Sequence, residues 1–277
     1  LLIAGWLLAA APKLSAAALT PDSPEVKRLI KKGMGYLENN SDGRLGGKCL
    51  VALCHLKHTG DVKHPAVVDA IDACQRTCRA EAEEIRQDIY STGIATFFLC
   101  EVDAEEYSTE IEKLVQSLVA RQKRGGGFGY PSNHQHGGTG DTSMTQYAVL
   151  GLWSAKQHGI AVEQEVVEKV ANWLIRTQDP SGGWGYQGVD PNSYQRVKQN
   201  RVRPSLAAAG LGSTYISAHM LGLKAEAENR RIDGLPPAFL RVEEKKPADR
   251  PELKQVDARR VRGAQSDGKR WLAQNDG

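Results

Sequence analysis

Aromatic residues make up only 6% of this chain, and no stretch is apolar for long enough to cross a bilayer. A spanning helix needs about 20 such residues, whereas the best candidate runs only from Leu1 to Ala11. Period-two alternation never lasts beyond a few positions, which argues against a sheet. An excess of one charge is also missing: 36 Lys and Arg face 33 Asp and Glu. The basic residues form no stripe, so nucleic acid is not an expected partner. Five cysteines are present, at positions 49, 54, 74, 78 and 100, without a Cys-x-x-Cys pair. That spacing excludes the usual zinc ribbon and dithiol redox site, and the odd number leaves at least one thiol unpaired. They read as buried thiols.

What is there is ordinary for a globular chain, with 40% apolar and 25% charged residues over 277 positions. The opening apolar run is followed by Ala16-x-Ala18, the small-residue spacing of a signal-peptidase site. Residues 1–18 therefore read as a truncated secretory signal, against the alternatives of a helix packed on the fold or a short membrane anchor. The expected location is secreted, periplasmic or envelope-facing.

The most informative pattern is an internal echo. "LVARQKRGGGFGYP" from Leu118 and "LIRTQDPSGGWGYQ" from Leu174 share an aliphatic pair, a Gln, a glycine pair, an aromatic, a Gly and a Tyr. Gln122 and Gln178 are 56 residues apart, as are Phe128 and Trp184. A fixed period of that size is what stacked two-helix units produce. Two kinds of helix alternate around these loops. One kind is amphipathic, as in "PEVKRLIKKGMGYLENN", "HPAVVDAIDACQRTCRAEAEEI", "STEIEKLVQSLVARQ" and "EQEVVEKVANWLIRTQ", with apolar residues three and four apart. The other is rich in Ala, Gly, Ser and Thr and apolar all round, as in the segments beginning at Gly46, Tyr90, Asp141 and Pro204. Helices of the second kind belong inside, and those of the first outside.

This alternation predicts an all-α protein, an α/α toroid of inner and outer helices over 25–222. A Pro-containing, highly charged connector follows over 223–260. Residues 261–277 read as the truncated start of a further repeat, since Gly268, Trp271 and Leu272 echo Gly33, Tyr36 and Leu37. Closing a ring would then need missing carboxyl-terminal repeats.

Lys169, Trp173 to Ile175, Gln178, Gly182 and Trp184 resemble the QW repeat of squalene and oxidosqualene cyclases, and Ser117 to Phe128 is a weaker match. The inner-helix start "GDTSMTQYAVLGL" is similar to those of the same cyclases and of protein prenyltransferase β-subunits. The resemblance implies a terpenoid-cyclase type of toroid in which Gln122, Phe128, Gln178 and Trp184 are structural clasps. It also implies a central cavity for an apolar, isoprenoid-like or extended ligand. The family's acid motif is reduced here to Asp141, with Gly140 in the place of its proton donor, and the zinc-binding Asp-x-Cys becomes Asp141-x-Ser143. No cofactor and no metal are expected.

Asp141 remains the candidate catalytic acid, against the plainer reading of a helix N-cap. Tyr130, His134, His136, Gln146, Tyr186 and Arg203 are the candidate ligand-binding residues around an inner-helix mouth. His134-x-His136 followed by Asp141 is a metal-like spacing, weighed against ordinary loop histidines. The connection from Gln187 to Pro204 reads as a solvated flap, with the alternative that Arg196, Lys198, Arg201 and Arg203 meet an anionic polymer. Three functions follow: a binding protein for an apolar ligand, a squalene-type cyclase using Asp141, or a scaffold for an envelope protein. Association with a membrane surface fits the first of these.

Overall fold

A computed structural model describes residues 20–130, 140–223 and 252–275. The expected signal segment, His134 and His136 lie outside the described residues. Among the described residues the fold is all-α, and its helices are α1 (Pro24–Glu38), α2 (Leu45–Thr59), α3 (Pro65–Thr77), α4 (Ile89–Asp103), α5 (Ser108–Ala120), α6 (Thr142–Gln157), α7 (Gln164–Arg176), α8 (Pro204–Met220) and α9 (Ala258–Asn275). Local chemistry sets many of these bounds. The side chains of His64, Asp88 and Asp141 accept amide hydrogen bonds at the starts of α3, α4 and α6, which satisfies donors the helix itself cannot. Left-handed glycines, Gly60, Gly159 and Gly222, follow α2, α6 and α8.

The small-residue helices form one row: α2 packs on α4, α4 on α6, and α6 on α8. Glycine makes this closeness available. A Cβ on Gly46 would stand 2.9 Å from the Ser91 Cα, and one on Gly93 would stand 2.3 Å from the Tyr147 carbonyl oxygen. The amphipathic helices lie against this row, with α3 on α2, α5 on α4 and α6, α7 on α8, and α9 on α7 and α8. Their apolar stripes supply buried residues such as Ile111, Leu114, Leu118, Val170 and Leu174.

The two glycine loops make the same contacts, each on a later amphipathic helix. Gln122 Nε2 donates to the carbonyl oxygens of Gly126 and of Val166 in α7, at 2.9 and 3.0 Å. Gln178 Nε2 donates to those of Gly182 and of Ala264 in α9, at 2.7 and 2.9 Å. Gly126 and Gly182 both have φ above +100° and press on the backbone of Lys169 and of Asp267 respectively. Gly127 then meets the Trp173 ring and Gly183 the Trp271 ring. Val166, Lys169 and Trp173 keep the same spacing as Ala264, Asp267 and Trp271, so one face of each helix receives one loop.

Two sequence expectations need correction. First, α9 begins at Ala258, ahead of the expected boundary at 261, and the chain before it is tied down. Glu168 in α7, nearly fully buried, accepts the amide hydrogens of Lys254 and Gln255, while Asn172 donates to the Gln255 carbonyl. A charged composition concealed this anchoring because its partner carboxylate lies more than 80 residues away. Second, the segment from Gln187 to Pro204 is pinned and not a solvated flap. Arg176 makes a two-pronged bond to buried Asp190, the Gln199 amide donates to Asp179, and Arg196 pairs with Asp267. Unlike the other amphipathic helices, α1 has no residue buried among the described residues. Leu29 and Tyr36, which match Val166 and Trp173 in register, are 57% and 64% exposed because no loop covers them among the described residues.

The cysteines divide unevenly. Cys49, Cys74, Cys78 and Cys100 are buried, as expected, whereas Cys54 is exposed on α2. Cys49 and Cys74 lie with their sulfurs 3.6 Å apart between α2 and α3. The hydrogen bond to Cys49, together with burial, pushes the Cys74 thiol well up, and an unionised thiol is a poor nucleophile.

Candidate functional site

The start of α6 is held by both glycine loops at once. The Asp141 amide donates to the Phe128 carbonyl at 2.6 Å, and the Thr142 amide donates to that of Tyr186 at 2.8 Å. Thr142 Oγ1 adds a bond to the Gly185 carbonyl, and the Phe128 amide donates to Thr145 Oγ1. Asp141 is fully buried as a result.

Its two carboxylate oxygens have different surroundings. Oδ1 accepts from the Met144 amide and the Ser143 hydroxyl, at 2.9 and 2.8 Å. Oδ2 is buried with no hydrogen-bond partner among the described residues. Burial pushes the carboxyl above its ordinary range, against the lowering effect of the Met144 amide and of the Ser143 and Tyr186 hydroxyls. Asp141 is thus an N-cap whose carboxylate also has the Tyr186 hydroxyl beside it. Ser143 spends its proton on Asp141, so the Tyr90 hydroxyl, 2.6 Å from Ser143 Oγ, is the donor to Ser143. A chain of donors runs from Tyr90 through Ser143 to Asp141.

Three more tyrosines complete the group. The Tyr130 and Tyr186 hydroxyls are 3.4 Å apart, and the Tyr90 ring meets Tyr147 edge-on at 5.2 Å. Of the residues expected from the sequence, the structure brings together Asp141, Tyr130 and Tyr186. Gln146 is half-buried one turn into α6, and Arg203 precedes α8 with an exposed side chain. No hydrogen bond ties either to the tyrosines among the described residues. Gln122, Phe128, Gln178 and Trp184 are in the loop clasps; the Trp184 indole is fully buried and donates to the Leu174 carbonyl at 2.9 Å. Tyr90 and Ser143 were not anticipated. Tyr90 opens α4, and only the packing of α4 on α6 carries it to Asp141.

Beside Tyr130 lies a cavity of about 490 Å³ between the chain entering α4, the end of α5 and the start of α6. Ile85, Ile89 and Met144 supply apolar wall, and Arg86, Arg121 and Lys123 bring positive charge. The one carboxylate in the lining, Asp88, is engaged as the cap of α4 through Ser91. Arg121 is half-buried and has no ion pair with a carboxylate among the described residues, donating instead to the carbonyls of Ser117 and Gln87 and to the Thr92 hydroxyl. Burial lowers its pKa.

The pH response of Asp141 follows from its raised pKa. A carboxyl raised in the folded state favours folding fully below its unfolded pKa of about 3.9, and that contribution is lost as pH rises through the folded value. At neutral pH the buried anion therefore works against stability. Asparagine keeps the cap and removes the charge. Asp141→Asn should match or exceed the parent's melting temperature at pH 7, with the difference shrinking as the buffer is taken toward pH 4. A lower melting temperature at pH 7 would show that the anion is held by a favourable contact.

The fold places this chain in the broad class of all-helical proteins with two layers of alternating helices. No family model, curated protein or solved structure matches it.

Proposed function

We propose that this is an envelope-facing binding protein of the α/α toroid type, which holds an apolar, isoprenoid-like chain bearing an acidic head. One observation carries the reading: a cavity of about 490 Å³ that joins an aliphatic wall to three cationic side chains. Its volume lies within the range of small-molecule sites, which are mostly apolar with a few placed polar groups. The aliphatic part would lie along Ile85, Ile89 and Met144. Arg86 and Lys123 would meet the head, and Tyr130 would border the entrance. The resemblance of the Gln178–Trp184 loop to cyclase repeats supports the isoprenoid class and the toroid, and Ala16-x-Ala18 supports the location.

The test is direct binding of farnesyl phosphate and of farnesol to the full chain, followed by intrinsic fluorescence. Farnesyl phosphate should bind in the micromolar range and farnesol about tenfold more weakly. Arg86→Glu, an exposed substitution, should remove most of that preference without changing the melting temperature. Absence of saturable binding by either compound would end the proposal.

A second reading rests on the buried Asp141 carboxyl, which burial holds above its ordinary range, since a carboxyl with a raised pKa is what protonation of an alkene would use. Incubation with squalene decides it. A cyclised product that disappears in Asp141→Asn would replace the binding function with a cyclase. The binding reading expects squalene to be recovered unchanged.

A further inference from the structure

A second polar cavity, of about 420 Å³, lies at the other end of the array, between the end of α1, α2 and the start of α3. Three elements each contribute one member of a close group of metal-ligating side chains to its lining. Glu38 is the last residue of α1, His55 lies on α2, and His64 caps α3. One oxygen or nitrogen from each lies within 4.8 Å of the others. Glu38 Oε1 is 3.7 Å from His55 Nδ1 and 3.6 Å from His64 Nε2. His55 is 1% exposed, and its Nδ1 has no hydrogen-bond partner among the described residues. A nitrogen buried in that state is costly unless something meets it. The other carboxylates of the lining are already matched, Asp69 by Lys48 and Asp42 by Arg44. Glu38 alone faces the two imidazoles.

We propose that Glu38, His55 and His64 bind a divalent cation of the zinc class, with one coordination position left open to the cavity. Two imidazoles and a carboxylate are the donor set of open zinc sites, and three protein ligands leave room for an exchangeable fourth. Donors about 2.1 Å from one tetrahedral ion stand about 3.4 Å apart, so Glu38 must close on each imidazole by only a few tenths of an ångström, whereas the widest pair of the group must close by up to about 1.4 Å. The rings must also change their mutual tilt. They are stacked with centroids 4.0 Å apart and planes within 15°, and a single ion cannot lie in both planes. His64, the more exposed partner, turns to meet it. That turn places the proton on Nδ1 and gives up the 3.2 Å bond from the Ala66 amide. Sequence spacing conceals the site, because Glu38 lies outside any short motif with His55 and His64, and only the packing of α1 and α3 on α2 unites them.

Zinc titrated into the full chain against a chromophoric chelator tests this, with cobalt(II) as the spectroscopic probe. One zinc per chain should bind at micromolar concentration or tighter, and cobalt should give visible bands of low-symmetry nitrogen and oxygen coordination. Glu38→Gln and His64→Asn should each weaken zinc by about tenfold or more. Asparagine preserves a cap for α3, and Glu38 is half-exposed, so unchanged helical circular dichroism is expected for both. No saturable binding in the parent chain would overturn the proposal. Zinc held equally by the parent and both variants, or a cobalt spectrum dominated by thiolate charge transfer, would overturn it too.

Discussion

Trp184→Ala is expected to destabilise the protein by about 3 to 5 kcal/mol, the range for a buried aromatic truncated to a methyl. The indole is fully buried. Its Nε1 hydrogen satisfies the Leu174 carbonyl near the end of α7, and its ring fits where side chains on Gly210 and Gly268 would intrude. A single residue therefore joins α7, α8 and α9, and a cavity among three helices cannot collapse without moving one of them. Gln178 alongside keeps Gly182 and Ala264 paired, so those bonds are strained by any shift of the loop. Urea and thermal unfolding measure the effect, with a fall in melting temperature of roughly 6 to 20 °C. An unchanged melting temperature accompanied by lost farnesyl phosphate binding would move Trp184 from the clasp to the ligand site.

Gly93→Ala is expected to have the next largest effect, about 3 kcal/mol of destabilisation at the upper end of ordinary overpacking. The added methyl would meet the Tyr147 carbonyl oxygen at 2.3 Å, and that atom belongs to a helix backbone. A flexible side chain could swing away; α6 cannot without parting from α4. The approach is mutual, since a Cβ on Gly151 would stand 2.8 Å from the Gly93 carbonyl oxygen. Gly212 in α8 is the matched control, because a Cβ added there would meet nothing within 4 Å. Alanine there should gain about 0.5 to 1 kcal/mol from its lower backbone entropy loss. Equal melting temperatures for the two alanine variants would contradict the close α4–α6 crossing.

The clasp loops illustrate what was legible. Gln, glycine pair and aromatic at a repeated spacing marked both as tight reversals at helix ends. The period of the apolar residues marked the helices themselves. The carbonyl that each Gln satisfies was not legible, because Val166 and Ala264 carry no side-chain sign of that role. For the tyrosines, Tyr130 and Tyr186 were expected together since they occupy equal places in the two loops. Tyr90 was missed because it comes from another helix pair. The same reason hid the Glu38, His55 and His64 group, and the anchoring of 252–257 on Glu168.

By itself the sequence determined the helical class, the division into apolar and amphipathic helices, and the positions where glycine allows a reversal or a close crossing. These are properties of one segment at a time, set by periodicity, capping and backbone freedom. Tertiary structure alone decided that Asp141 would be buried among tyrosines, that the Gln187–Pro204 segment would be pinned, and that two histidines would stack beside a glutamate. Each of those depends on which helix lies against which. Such pairings are chosen by the sum of many weak contacts across the core, and no short stretch of residues encodes that sum.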